Sequence, residues 1–500
     1  VKRRGRNAGL DGWGVNAKQR REKQMVKNDI IKPRLTVLTD DQKQRIHADS
    51  LKILSSVGVR VESKQGLDVL AKAIGSKGVK DNIVRMPGEL VENALKLAPS
   101  SVEVYDRKGG HPIRIPGDTY FGIGVTNLYY QDPETDQITP FGRKHLETCV
   151  RLGSMLPSFD FVSTPGILQD VPLKVLDLYT VLEMTANTTK PLVVLVSEDE
   201  ALPHVFDLLE DLHGDLASKP FVIPYFNPIT PLIMNRGTVD KMFLTIERGL
   251  PFVYSNLGMA GASVPITPSG TLTLLMAELL AGLTLSQLIK EGTPVILGCL
   301  PAFLDMKGVG GNFYDTISYL INLACAEMMS FYNVPHFGTS GSSGGWGADL
   351  ISAGHQWSNH LLSCMGKVGL VVFIGGVLGS KLFSPNVIVY ANDVIAQARR
   401  FARGFSMDGL DLAMEEIAQE GPGGHFLTSE LTLNHFRDAY FESDIFPLLS
   451  LEEWQARGCP KADEMLRNHT KQLIADAPAP DDHAELMAKG EAFITRFEAK

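Results

Sequence analysis

Pro191-Leu192-Val193-Val194-Leu195-Val196-Ser197 is followed by a helix-like stretch over 200–212 and then by Pro220-Phe221-Val222-Ile223-Pro224-Tyr225-Phe226. Two short apolar runs, each entered through a proline, thus flank one helical segment, and proline suits the loop that feeds a buried strand. The unit recurs. Comparable runs lie at 120–124, 159–164, 252–256, 295–300, 334–339 and 370–375, with Pro251 and Pro294 introducing two of them. Their starts are about 30–45 residues apart, and helical patterns fill most gaps (143–152, 173–185, 239–248, 272–290, 314–331). Alternating strands and helices imply a parallel sheet, and eight such units imply an α/β fold of the (β/α)8 barrel type. The rival, a doubly wound open sheet, wants GxGxxG after its first strand. Phe121-Gly122-Ile123-Gly124 is followed by Val125-Thr126-Asn127, so the third glycine is missing.

Outward from this rhythm, Thr39-Asp40-Asp41-Gln42 predicts a capping box opening a helix to about Val57. Residues 88–97 predict another helix, and 103–118 a small β-ribbon. After Ser384 the pattern is helical again over 387–405, 410–419, 451–456 and 461–474. The expected organisation is a basic N-terminal arm (1–38), a helical and β-ribbon extension (39–118), the barrel (119–383) and a C-terminal helical extension (384–500).

Charge and cysteine content narrow the function classes. The net charge of −9 divides into +8 on residues 1–34 and −17 on the rest. An acidic body argues against nucleic acid as the ligand, since phosphate binding needs a basic surface. The basic arm lacks the apolar stretch of a secretory signal and reads as a segment that packs on a neighbouring subunit. No apolar run reaches the ~18 residues of a membrane span; the longest are read as a core helix (271–285) and a core strand (368–379). Five dispersed cysteines without a CxxC pair read as reduced and cytoplasmic, and no His/Cys spacing suits a metal.

Barrel chemistry sits at the C-terminal ends of the strands. Those ends offer Asn127, Tyr129, Tyr130, Tyr225, Phe226, Asn227, Tyr254, Asn256, Pro301, Phe303 and Phe373. The seventh strand opens a glycine-rich stretch, 338–347, followed by His355, Gln356 and Trp357. Facing carboxylates, which a glycosidase requires, are missing: Glu198 and Asp199 are neighbours on one loop. A mouth rich in Tyr, Trp and Phe suits a cation whose charge is shielded by methyl groups, because ring quadrupoles then do the recognition. A betaine carboxylate would need a donor such as His355 or Asn227.

Several segments resemble one known family. They are Tyr130-Gln131-Asp132-Pro133-Glu134-Thr135, Asp170-Val171-Pro172, Asn187-Thr188-Thr189-Lys190-Pro191, and the glycine-rich loop with Asp349 and Gln356. The longest is Glu420-Gly421-Pro422-Gly423-Gly424-His425-Phe426-Leu427-Thr428, followed by Thr432, His435, Phe436 and Arg437. Together they resemble the trimethylamine methyltransferase family of corrinoid-dependent methyltransferases, over residues of about 40 to 475. The resemblance implies a (β/α)8 barrel and transfer of a methyl group to the Co(I) of a corrinoid (cob(I)alamin) held by a separate protein. The founding activity uses pyrrolysine; this chain has only the standard twenty residues, which points to quaternary amines, glycine betaine foremost. Proline betaine, carnitine and a non-catalytic betaine-binding barrel stay open. Trp346 and Trp357 are expected to cage the trimethylammonium and His355 to bond the carboxylate. Asn227 and Tyr129 are expected to orient the substrate, Tyr225 and Phe373 to form the wall, and Gln356 to support the loop. No acid–base residue and no bound metal are expected; a homo-oligomer is. The 420–428 element is expected to dock the C-terminal helices.

Overall fold

Eight parallel strands close on themselves in the computed structural model, which describes residues 30–124, 126–307, 310–407 and 409–499. They are β1 (Tyr120–Ile123), β2 (Phe161–Ser163), β3 (Leu192–Val194), β4 (Val222–Phe226), β5 (Phe252–Ala260), β6 (Val295–Asp305), β7 (His336–Thr339) and β8 (Leu370–Ile374). Each pairs in parallel with the next, and β8 returns to β1 through Leu370↔Tyr120 and Val371↔Phe121. All eight strands therefore form where the apolar runs predicted them.

Period-two alternation sends Phe161, Val193, Ile223, Val253, Ile296, Phe337 and Leu370 into one buried interior cluster. The predicted ribbon (Val102–Val104 with Ile113–Ile115) adds Val102, Val104 and Ile115 to that cluster. It lies at the strands' entry end, where the Tyr105 backbone N–H donates to the Pro220 carbonyl. The ribbon thus plugs the floor, and ligand access is left to the opposite, C-terminal end.

Helices α1 (Asp40–Ser56), α2 (Pro268–Ile289), α3 (Thr316–Tyr332) and α4 (Leu350–Met365) are the ones used below. The capping box at Thr39 and Gln42 opens α1 as expected. By length and composition α2 could cross a membrane, but fifteen of its 22 residues are buried inside the fold, in accord with its reading as a core helix.

Three expectations are corrected. First, β5 and β6 do not stop near Asn256 and Leu300; they stay paired from Phe252↔Val295 to Ala260↔Phe303, and β6 then turns back as an antiparallel strand over Gly310–Asn312. The extra residues carry a two-stranded wall beyond the barrel rim. Second, a helix missing from the expected set follows Asp349: it is α4, whose first turn is capped by the Asp349 carboxylate accepting from Ser352 N–H at 2.8 Å. Third, the 420–428 element does not dock helices. His425, Phe426 and Leu427 face solvent, Leu427 being 78% exposed.

The chain forms two compact units: Leu35–Ala398 with Ser443–Lys500, which holds the barrel, and the N-terminal segment up to Arg34 with Arg399–Glu442. Most of the expected basic arm lies outside the described residues. All five cysteines are free thiols, four of them buried.

Candidate active site

At the top of the lumen, the inward positions of β4 and β8 bring two rings together. Tyr225 and Phe373 meet edge to face with centroids 5.3 Å apart, and both lean on Phe337 below them. Phe373 reaches this position by a local price in backbone conformation: its φ is +78°, and the β8–β1 register slips between Val371 and Ile374. A bulky residue in the left-handed region costs about 1–2 kcal/mol. The bulge turns the ring inward, which regular alternation after Val372 would not do.

β2, β4 and β5 each carry a buried hydroxyl towards this end of the barrel, those of Ser163, Tyr225 and Ser255. Tyr225 lies beside Ser255 and Asn227 without a hydrogen bond of normal geometry to either, and the hydroxyls of Ser163 and Ser255 are likewise buried and unpartnered. Burial pushes the Tyr225 phenol up to about 12 against the opposing influence of Ser255 and Asn227, so it stays a neutral donor. Unsatisfied buried hydroxyls cost on the order of 1–3 kcal/mol each, which a polar ligand atom would recover. No carboxylate is among the groups that shift the Tyr225 phenol.

The rim is built by the loops after β6 and β7. Phe313 packs on the lumen cluster, and the next residue, Tyr314, stacks on His355 with centroids 4.9 Å apart. Gly344 accommodates that stack: a Cβ there would sit 2.5 Å from the Tyr314 ring. The glycines of 338–347 therefore permit close packing. Gly344 N–H donates to His355 Nδ1 at 3.3 Å, which leaves the ring proton on Nε2. Burial holds the imidazole below its usual range, outweighing the Asp349 charge, so His355 offers a neutral Nε2–H donor near pH 7. Gln356, one residue on, donates through Nε2 to the Gly341 carbonyl at 2.8 Å and accepts through Oε1 from His360 Nε2, while His360 Nδ1 bonds the Ser340 hydroxyl.

Of the other expected residues, Asn227 lies beside Tyr225, as above, while Trp346, Trp357 and Tyr129 are exposed to solvent. Trp346 is 68% exposed; its backbone is held by the Asp349 carboxylate and by Gln131 Nε2. Trp357 is 37% exposed on α4, about 200° around the helix from His355, so those two side chains do not converge. Tyr129 stands half-exposed on the strand Tyr129–Gln131. Asn227 follows β4, its carbonyl accepting from the Thr238 hydroxyl at 2.6 Å. Tyr254 and Asn256 point outward to α2: the Tyr254 ring lies against Gly282, and Asn256 Nδ2 donates to Glu278. Ser163 and Ser255 carry no sequence signal beyond their place two residues after Phe161 and Val253.

Glu278 braces the loop after β4. It accepts from Leu232 N–H (2.6 Å), the Thr230 hydroxyl (2.8 Å) and Asn256 (2.9 Å), yet burial outweighs these bonds and pushes its carboxyl up to about 7. The folded state therefore binds this proton more tightly than the unfolded chain does. That contribution to stability is present below about pH 4.5 and is lost as pH rises towards 7. Glu278→Gln should flatten this stretch of a plot of melting temperature against pH. It should also lower stability by about 1–3 kcal/mol, since an amide nitrogen cannot accept from the facing donors. An unchanged pH profile would assign the dependence elsewhere.

Among the described residues, no group of three His, Cys, Asp or Glu side chains is placed to hold a metal ion.

Comparison with known proteins gives a family. The model of the family described as Trimethylamine methyltransferase (MTTB) matches residues 2–500. A glycine betaine methyltransferase of Desulfitobacterium hafniense (strain Y51) is 26% identical over 474 residues, covering 93% of this chain and 97% of the relative. A trimethylamine methyltransferase of Desulfitobacterium hafniense (strain DSM 10664 / DCB-2) is 24% identical over 458 residues, covering 88% and 91%. Among solved structures, the monomethylamine methyltransferase of Methanosarcina barkeri shares the fold, with a TM-score of 0.51 over 93% of each chain at 8% identity.

Proposed function

We propose, from the premise that the chain belongs to the trimethylamine methyltransferase family and is a methyltransferase, that its methyl donor is a quaternary amine, glycine betaine first. The acceptor in this reading is the Co(I) of a separate corrinoid protein, and the product is dimethylglycine. The observation that carries the reading is the top of the lumen: two aromatic rings in contact, with buried hydroxyls that have no hydrogen-bond partner.

Co(I), when the partner presents it, supplies the nucleophile. The C–N bond breaks with its electron pair left on nitrogen, so a quaternary donor releases a tertiary amine whose nitrogen is neutral, and no general acid is needed. The chain's task is then to bind, orient and exclude water. Tyr225 and Phe373 offer ring faces and edges to the methylated nitrogen, at about 0.5–2 kcal/mol for each cation–π contact. The Tyr225, Ser163 and Ser255 hydroxyls and the Nε2–H of His355 are donors for a carboxylate.

Incubating the purified chain with a reduced corrinoid protein and glycine betaine should abolish the Co(I) absorbance, with proline betaine and carnitine as comparisons. Measurable betaine binding with no loss of Co(I) for any quaternary amine would overturn the reading in favour of a binding protein. His355→Ala should weaken glycine betaine about tenfold in a calorimetric titration, as expected for one lost hydrogen bond to a charged group. An unchanged affinity would remove His355 from the site.

A further inference from the structure

Tyr314 stands between two fixed pieces of backbone. Before it, Gly310–Asn312 pairs antiparallel with the end of β6 through Phe303↔Asn312 and Asp305↔Gly310. After it, the Asp315 carboxylate caps α3 by accepting from Ile317 N–H at 2.8 Å. In the turn between them Phe313 packs on the lumen cluster, and Tyr314 reaches His355. The phenol lies nearly parallel to the imidazole, with the planes 25° and the centroids 4.9 Å apart. Gly344 leaves room for this ring: an added Cβ would fall 2.5 Å from Cε2 and 2.6 Å from Cζ of Tyr314. The imidazole is held at a second point, where Gly344 N–H donates to Nδ1 at 3.3 Å and the Ser343 hydroxyl stands 3.4 Å from the same nitrogen. The helix that carries it is pinned too, by the Asp349 cap and by the bond between Gln356 and His360.

We propose that Tyr314 is a positioning residue, which holds the His355 ring in one orientation so that its Nε2–H is presented to the substrate carboxylate; the identity of that ligand rests on the proposed function. A histidine side chain can turn about both of its torsions, and a free ring must give up that freedom when it binds a ligand. A ring stacked beforehand has already given it up, and face contact with an aromatic neighbour fixes the ring plane. The bond to Nδ1 fixes less, because the ring can still pivot about the N–H···N axis. Stacking also shields the imidazole from water, and a shielded imidazole resists protonation. The groups that face it are Ser343 and Gly344 from the loop after β7, Tyr314 from the segment before α3, and Asp349 from the start of α4. Among the described residues Asp349 is the charge that acts on the ring; it favours the imidazolium, and burial prevails over it. A proton on Nδ1 would also displace the Gly344 N–H. Tyr314 needs no contact with the methyl donor to have these effects, since they pass through His355.

Calorimetric titration with glycine betaine and NMR titration of the histidine ring signals, both on the full chain, test this role. Tyr314→Ala should weaken glycine betaine about tenfold, as His355→Ala does. The double variant should lose no more than either single change, because one residue acts through the other. Tyr314→Phe keeps the stacked ring and should stay within about twofold of the wild type. Gly344→Ala leaves the tyrosine in the chain but displaces its ring, so it should weaken betaine several-fold and gives the same readouts if Tyr314→Ala folds poorly. The His355 ring signal, assigned by its loss in His355→Ala, should titrate at higher pH in Tyr314→Ala and Gly344→Ala than in the wild type, since less burial opposes the charge. A His355 midpoint that neither variant moves, a Tyr314→Phe chain as weak as Tyr314→Ala, or losses that add in the double variant would each overturn the proposal. The ring titration uses no ligand. A wild-type chain that fails to bind any quaternary amine would therefore overturn the proposed function, while the titration still judges Tyr314.

Discussion

Tyr225→Phe should raise the KM for glycine betaine about 10- to 100-fold, leave kcat within a few-fold, and keep the protein folded. The hydroxyl is buried and unpartnered, so its removal breaks no internal hydrogen bond. What it removes is a donor to the bound ligand, worth about 1.5–3 kcal/mol when the acceptor is charged. The carboxylate of a betaine keeps its charge throughout methyl transfer. A bond to it is therefore made equally in the ground and transition states, and its loss appears in KM. With its ionisation pushed up to about 12, the phenol donates at every pH an enzyme assay uses, so the wild-type advantage should not vary between pH 6 and 9. Tyr225→Ala is a harsher change. The ring is wedged between Phe337 and Phe373, and its loss should cost about 3–5 kcal/mol of stability as well as binding. Steady-state kinetics of the phenylalanine variant decide the matter. A KM equal to the wild type would show that the hydroxyl does not meet the substrate.

Gly298→Ala should abolish soluble, folded protein. Gly298 lies in the middle of β6, paired with Phe337 of β7, and a Cβ there would fall 1.7 Å from the Phe337 carbonyl oxygen. The obstacle is backbone, not the movable end of a side chain. Relief would require β6 and β7 to separate, which opens the closed barrel and exposes the lumen cluster that includes Phe337 and Leu300. Destabilisation above about 4 kcal/mol is the expected scale for such an insertion, a large share of a typical domain's stability. Gly354→Ala is the control. It lies within α4, and its Cβ would meet nothing within 4 Å, so the helix should gain up to about 1 kcal/mol. Thermal unfolding of the two single-methyl variants in parallel separates close approach from helix propensity. Equal melting temperatures would refute the argument from strand spacing.

The strands were legible because a buried parallel strand has to be apolar on both faces, and that leaves a continuous run bounded by prolines, as at Pro191 and Pro220. The ends of β5 and β6 were less legible. Beyond Asn256 and Leu300 the residues Leu257-Gly258-Met259 and Pro301-Ala302-Phe303 belong to a wall held by one neighbour, and no periodicity marks where pairing ceases. Helix α4 was hidden by its polar content: its buried face carries Ser352, Gln356, Asn359, His360 and Ser363 in place of an apolar stripe, with Ser352, Gln356 and His360 held by side-chain hydrogen bonds. In the site, Tyr225 and Phe373, expected on a pocket wall, meet edge to face in the lumen cluster, and Phe373 gets there only through a bulge that no local signal announces. Trp346 and Trp357 drew attention as large rings near the seventh strand, but their exposure on the rim separates them from the lumen.

By itself the sequence determined the barrel, its eight strands, the family and the scarcity of carboxylates at the mouth, because each of these depends on residue type and spacing along the chain. The convergence of Tyr225, Phe373 and Ser255 and the Nε2–H tautomer of His355 were decided only by the tertiary structure. Which side chains share one lumen and which hydroxyls lack partners both depend on contacts between residues tens to hundreds of positions apart, and the spacing of residues along one segment does not encode them.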